Sequence, residues 1–182
     1  MSWLRFLACG AIALRLALAT ATSAAADAAV QSEYAVKAAF IFNFAKFTDF
    51  PQETTAAHDT LTLCVFAPEP YRAALAAIEG KQVQGKTLAL KRNPRTEELK
   101  SCQMMFIAES ESRRGAELML ALKGAPVLTI GEADGFAERG GMIGFFATGD
   151  RVQFEINNDA AQRANLKISS QLLRLARLVK DR

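Results

Sequence analysis

The chain has few of the side chains on which common enzyme active sites depend. Its 182 residues include one histidine, His58, so a metal site with two histidine ligands cannot form within one chain. The sequence contains no Gly-x-Ser-x-Gly, Cys-x-x-Cys or His-Glu-x-x-His motif, the patterns of serine hydrolases, thiol–disulfide oxidoreductases and zinc peptidases. We therefore expect no catalysis, no metal and no cofactor, with a hydrolase that uses carboxylates alone as an alternative.

The chain also lacks a large excess of charge of either sign. It has 22 Lys and Arg against 19 Asp and Glu, and the first 26 residues carry Arg5 and Arg15 but no acidic residue. Proteins that bind nucleic acid by electrostatic attraction concentrate positive charge on one face. Nucleic acid is therefore not an expected partner.

No apolar run reaches the length of about 20 residues that is needed to cross a bilayer. Arg5 precedes the apolar residues 6–14, and small residues ending at Ala26 follow, as in a cleavable secretory signal. We expect residues 1–26 to be a signal peptide that is cut before Asp27, which leaves residues 27–182 as one exported domain without membrane insertion. Arg15 interrupts the apolar segment, so an uncleaved anchor or a later start codon stays open.

Cysteine is scarce, with Cys9, Cys64 and Cys102 in the whole chain. Cys9 falls within the expected signal peptide, so the exported domain keeps an even pair, and disulfides persist in oxidising compartments. A bridge between Cys64 and Cys102 would stabilise the fold by about 4 kcal/mol in the chain-entropy model. Two buried free thiols are the alternative.

Apolar runs and helical patterns alternate along the middle of the chain. Nearly continuous apolar runs at 61–67, 104–108 and 127–130 predict buried strands, and 87–90 predicts a further short strand. Helices are predicted at 71–78 and 112–122. Strands that alternate with helices in this way imply crossover connections and a largely parallel sheet. We predict one three-layer α/β domain, with helices on both faces of the sheet.

A β-hairpin is predicted near the end of this region. Residues 142–146 form a short apolar run, and residues 147–150 suit a tight turn. Val152, Phe154 and Ile156 then alternate with Gln153 and Glu155, which predicts a half-buried strand whose polar side chains face solvent. The hairpin would add antiparallel strands to the sheet.

The first helix is unusually rich in phenylalanine. Ser32 is its predicted N-cap, Pro51 ends it, and Val36, Phe40, Phe44 and Phe47 recur with Ala39 and Asn43 at helical spacing. Phe42 lies about 200° from Phe40 around such a helix and cannot share that face. Either the helix is covered on both sides, or Phe42 is an exposed aromatic anchor for a partner.

A terminal amphipathic helix is predicted from Ile168, Leu172, Leu175 and Val179. It would carry a basic stripe formed by Lys167, Arg174, Arg177 and Lys180, which Lys37 and Lys46 on the first helix could extend. Such a stripe is either simply solvated or binds an anionic ligand or an acidic partner. Arg174 and Arg177, three residues apart, are the candidates for contact.

Three stretches together resemble the YfiR family of exported bacterial proteins. They are SEYAVKAAFIFNFAKFTDFP, VLTIGEADGFAERGGMIGFFATGDRVQFEIN and ANLKISSQLLRLARLV, which occur in the family's order over nearly the whole exported chain. The resemblance implies a periplasmic regulator, whose best-known type represses an inner-membrane diguanylate cyclase by binding its periplasmic region, so that cyclic di-GMP falls. The family's first cysteine pair matches Cys64 and Cys102. A second pair found in some members is absent, because Met142, Phe145 and Phe146 stand in the hairpin.

We therefore expect a non-enzymatic regulator that acts by protein–protein contact on an inner-membrane signalling protein. Phe42, Lys46, Arg174 and Arg177 are the candidate contact residues, and a homodimer is a further expectation. A periplasmic module that binds a small molecule is the alternative.

Overall fold

The computed structural model describes residues 30–51, 59–149 and 151–182. The predicted signal peptide and His58 lie outside these residues. The helices are α1 (30–46), α2 (Glu69–Ala76), α3 (Ser112–Ala121), α4 (Asn158–Arg163) and α5 (Ser170–Leu173), and short 3-10 helices span Thr96–Ser101 and Glu109–Glu111. The strands are β1 (Thr48–Asp49), β2 (Thr60–Phe66), β3 (Gln82–Val83), β4 (Lys86–Arg92), β5 (Met104–Ile107), β6 (Leu128–Gly131), β7 (Ile143–Thr148), β8 (Arg151–Ile156), β9 (Lys167–Ile168) and β10 (Arg177–Leu178).

Eight of the strands form one sheet in the order β10-β8-β7-β6-β5-β2-β4-β3. Strands β4, β2, β5, β6 and β7 are parallel, whereas β3 and β8 are antiparallel to their neighbours. β10 runs parallel to β8 at one edge, and β1 pairs with β9 in a separate two-stranded sheet. The prediction of a mainly parallel sheet with an antiparallel hairpin is confirmed.

Both faces of the sheet are covered by helices, as predicted. Leu61, Leu63 and Val65 on β2 face the core that contains α1 and α2, and Cys64 and Phe66 face a second core that contains α3. Side chains alternate between the two faces along a strand, so a strand buried on both faces must be apolar at nearly every position. This is why the run 61–67 reads as continuously hydrophobic.

The buried face of α1 differs from the predicted one. Ser32 lies inside the helix and does not cap it, and Val36 is 42% exposed. The buried positions are Ala38, Ile41, Phe44 and Ala45, and all four belong to the core that contains α1 and α2. The spacing of the aromatic residues predicted an adjacent face of the helix as the buried one, and of the residues on that face only Phe44 is fully buried.

The predicted terminal helix is wrong. Residues 167–168 pair with β1 and residues 177–178 pair with β8, which leaves a single short helix, α5, whose N-cap Ser169 accepts a hydrogen bond from the backbone N–H of Leu172. Pairing with distant strands replaces the local helical hydrogen bonds, and this tertiary effect overrides the apolar periodicity. Lys167, Arg174 and Arg177 therefore do not form a stripe on one helix.

Two glycines provide room for the ring of Phe136, which lies in the segment between β6 and β7. A Cβ atom added at Gly131 would lie 2.5 Å from that ring, and one added at Gly141 would lie 2.3 Å from the ring and 2.7 Å from the carbonyl oxygen of Phe136. Phe136 is 8% exposed and belongs to the α3-side core. The glycines are therefore required by close packing.

Gly141→Ala is expected to lower the free energy of unfolding by about 1–3 kcal/mol, because the added methyl group overlaps the Phe136 ring. Gly115→Ala is the matched control, since it lies inside α3 and its new Cβ would come no closer than 3.6 Å to Ile107. The control should stabilise the protein by about 0.5–1 kcal/mol through helix propensity. Urea unfolding curves that move in the same direction for both variants would contradict this packing.

Candidate partner-binding surface

The β10 end of the sheet carries an apolar surface. Leu175 and Leu178 have exposed fractions of 76% and 61%. Beside them is a hollow of about 440 Å³, lined by parts of α1, β7, β8 and the C-terminal segment. We call this region the edge surface and define it by Phe40, Phe146, Val152, Leu175, Arg177 and Leu178.

Arg177 is held in place at the edge surface by a buried carboxylate. Its guanidinium donates a hydrogen bond to Oε2 of Glu155 and lies over the ring of Phe146, 4.0 Å from the ring centroid. The Arg177 side chain keeps 57% of its area exposed, whereas that of Glu155 keeps 4%. The guanidinium of Arg177 is therefore held in one orientation, and more than half of the side chain's area is still exposed to solvent.

The prediction that Glu155 faces solvent is wrong. Arg177 pairs with Glu155 in the register of β10 and β8, and the added strand covers the carboxylate. On the other side Glu155 lies opposite Gly144 on β7, and its Cγ comes within 3.1 Å of where a Cβ of Gly144 would be. Glu155 therefore lies between strand β10 and Gly144 of β7. It is buried there and paired with Arg177.

The structure does not bring the four candidate contact residues together. Phe42 is half-buried, and the ammonium groups of Lys46 and Lys81 lie 5.8 and 5.5 Å from the centre of its ring. This cluster adjoins β3, at the opposite end of the sheet from β10. Arg174 is exposed at the C-cap of α5, and Arg177 alone belongs to the edge surface.

Phe40 joins the edge surface to the core. Its ring contacts those of Phe44, Phe145 and Phe154 at centroid distances of 6.1, 6.2 and 5.4 Å. Phe40 was predicted to share a buried face with Phe44, but it is half-buried and lines the hollow. The aromatic surplus on α1 thus supplies both core and surface, with Phe40 and not Phe42 at the apolar edge.

A polar network that the sequence did not reveal lies at the carboxyl ends of β5 and β6. Glu132 accepts hydrogen bonds from Lys37, from the Tyr71 hydroxyl at 3.2 Å and from the backbone N–H of Glu109 at 3.1 Å. Lys37 also pairs with Glu33. Lys37 therefore does not extend a basic stripe, because both neighbouring carboxylates neutralise it.

Lys37 and Tyr71 of this network both hold their protons more tightly than usual. Burial opposes the charge of Lys37, but hydrogen bonds to Glu132 and Glu33 outweigh it, and the pKa of Lys37 is raised. Burial, followed by the charge of Glu132, raises the pKa of Tyr71 far above its usual value. Ligands of open α/β sheets often bind at this end of the strands, but here both oxygens of Glu132 are engaged by the chain itself. The network ties α1 and α2 to the sheet.

The predicted bridge is present. Cys64 on β2 and Cys102, which follows the 3-10 helix before β5, form a disulfide with their Cα atoms 5.8 Å apart. Within residues 30–51, 59–149 and 151–182, no group of three or more His, Cys, Asp or Glu side chains could hold a metal ion. Over the same ranges, no helix is both long and apolar enough to cross a membrane.

The described residues thus form a three-layer α/β domain with an apolar sheet edge. The chain belongs to the YfiR/HmsC-like family, whose profile matches residues 34–177. This is a family of periplasmic regulators.

Two solved structures are similar to this chain at low identity. One is a conserved domain protein from Vibrio cholerae O1 biovar El Tor, with 14% identity, a TM-score of 0.45, and coverage of 71% of this chain and 57% of that one. The other is an ABC domain in complex with L-Trp from Streptococcus pneumonia, with 12% identity, a TM-score of 0.46, and coverage of 70% and 59%. This chain thus spans less than two thirds of either.

Proposed function

We propose that this protein is a non-enzymatic periplasmic regulator that binds the periplasmic region of an inner-membrane signalling protein and lowers its output. The signalling protein is a diguanylate cyclase or a sensor kinase. Membership of the YfiR/HmsC-like family supports the regulatory role. The observation that supports binding through protein–protein contact is the edge surface, where the large apolar side chains of Leu175 and Leu178 are mostly exposed to solvent.

The composition of the edge surface is that of a protein contact. Interface centres are enriched in aromatic residues and arginine and depleted in other charged residues. Here Phe40 and Phe146 provide rings, Leu175 and Leu178 provide aliphatic area, and Arg177 provides a fixed charge. A partner that inserts an apolar side chain into the hollow would bury area that now contacts water.

Arg177 would add directional recognition to this contact. A guanidinium has five N–H donors, and Nη2 of Arg177 donates one of them to Oε2 of Glu155. An acidic group or a backbone carbonyl of the partner can take a remaining donor. Since Glu155 and Phe146 already hold the side chain, little rotamer entropy is lost on binding.

Deleting the gene tests the proposal. Loss of a repressor should raise the output of its target, measured as cellular cyclic di-GMP for a cyclase or as phosphorylation of the response regulator for a kinase. A plasmid copy of the gene should restore the low level. If deletion changes neither quantity, the regulatory proposal fails.

A further inference from the structure

A second concave region lies on the α3 side of the sheet and shares no lining residue with the hollow at the edge surface. It is a groove of about 630 Å³ between α3, the segment that joins β6 to β7, and α4. Sites for small ligands commonly measure roughly 300–1,000 Å³. The groove is therefore large enough for a molecule of ordinary metabolite size.

The floor of the groove is apolar and built by the close packing described above. Ile107, Val127, Phe136 and Met142 are buried and line it. Small residues make up much of the remaining lining, namely Gly115, Ala116, Gly140, Gly141, Ala160 and Ala164. An apolar ligand chain would find a preformed surface there.

The charges that line the groove all have one sign. Lys123, Arg139 and Arg163 line it, and among the described residues no Asp or Glu does. Arg163 is already paired with Asp181. Lys123 and Arg139 are exposed and form no ion pair within residues 30–51, 59–149 and 151–182, so their charge is available to a ligand.

We propose that this groove binds a small amphipathic monocarboxylate, with its apolar chain against Phe136 and Met142 and its carboxylate between Lys123 and Arg139. An anionic head group fits this groove because, among the described residues, two cations without an ion-pair partner line it and no carboxylate lines it that could receive a ligand ammonium group. A free amino acid would leave its ammonium group unmatched, which disfavours it. This inference does not rest on the proposed regulatory function.

Calorimetric titration of the purified protein with decanoate at neutral pH tests the proposal. Decyltrimethylammonium has the same apolar chain with the opposite charge and is the control ligand. Decanoate should bind saturably at one site and at least about tenfold more tightly, because its carboxylate can accept charge-assisted hydrogen bonds from Lys123 and Arg139, whereas the ammonium ligand meets charges of its own sign. No saturable decanoate binding, or equal binding of both ligands, would overturn the proposal.

Variants locate the site. The Lys123→Gln/Arg139→Gln double variant should weaken decanoate binding about tenfold or more. Arg113→Gln removes the same kind of charge from α3 but lies outside the groove, and it should bind as the wild type does. Ala116→Phe, at an exposed helical position that lines the groove, should block binding without unfolding the protein, as circular dichroism would verify. Unchanged decanoate affinity in both the double variant and Ala116→Phe would place the ligand elsewhere and refute the assignment.

Discussion

Replacing Phe44 with alanine is expected to lower the free energy of unfolding by about 3–5 kcal/mol. Phe44 has no exposed area, and its ring lies 5.7 Å from that of Phe145 and 5.0 Å from that of Phe154, centre to centre. These contacts join α1 to the hairpin formed by β7 and β8. Truncation leaves a cavity that the rigid sheet cannot close, so the cost should fall near the top of the range for core residues.

Phe42→Ala is the matched control for this measurement, because it makes the same chemical change on the same helix. Phe42 is half-buried, and two lysine ammonium groups lie 5.8 and 5.5 Å from its ring centre, so its truncation should cost clearly less than that of Phe44. Denaturant unfolding of both variants, with m-values compared, gives the difference. Equal losses would show that α1 presents a different face to the core.

Removing the disulfide is the second change with a large expected effect. The bridge closes a loop across a sequence separation of 38 residues, which corresponds to about 4 kcal/mol in the chain-entropy model. Both cysteines are buried in the α3-side core. We expect the Cys64→Ala/Cys102→Ala variant to unfold at much lower denaturant concentration than the oxidised wild type.

Reductant separates the effect of the bridge from that of lost side-chain volume. Added reductant should destabilise the wild type and leave the double variant unchanged. Intact mass measured without reductant should show a deficit of two hydrogens in the wild type. Two alkylatable thiols in protein isolated from the periplasm would refute the bridge.

The core of the sheet could be predicted from sequence because its signals are local. A strand such as β2 is apolar at nearly every position when both of its faces are covered, and the cysteine pair joins β2 to the segment before β5. The hairpin likewise shows strand periodicity on both sides of a short turn. The apolar run of β2 and the alternation in the hairpin can each be recognised within one short segment, because they reflect only which faces of that segment are buried.

The candidate surface could not be predicted because it depends on distant parts of the chain. Leu172 and Leu175 have helical spacing, but residues 177–178 pair with β8 as an edge strand. This pairing buries Glu155 and leaves Leu175 and Leu178 in solvent. The buried face of α1 was predicted incorrectly for a related reason. Ala38 and Ala45 are buried against other elements, but alanine alone gives little hydrophobic signal in the sequence.

If the edge surface binds the signalling partner, a charged substitution there should abolish repression, and a complementation experiment measures this. In cells that lack the native gene, the output of the target protein is measured after expression of the wild type, of Leu175→Arg, or of Ala73→Arg. Ala73 is exposed on α2, outside the edge surface, so its variant controls for the added charge. Thermal unfolding and immunoblotting should first establish that the three proteins are equally folded and equally abundant.

Leu175→Arg places a charge beside the hollow, where a docked apolar side chain would lose its contact with the surface. The wild type and Ala73→Arg are expected to restore low output of the target, whereas Leu175→Arg should leave it as high as in the deletion strain. Repression by Leu175→Arg at the wild-type level would contradict the assignment of the edge surface as the partner-binding site.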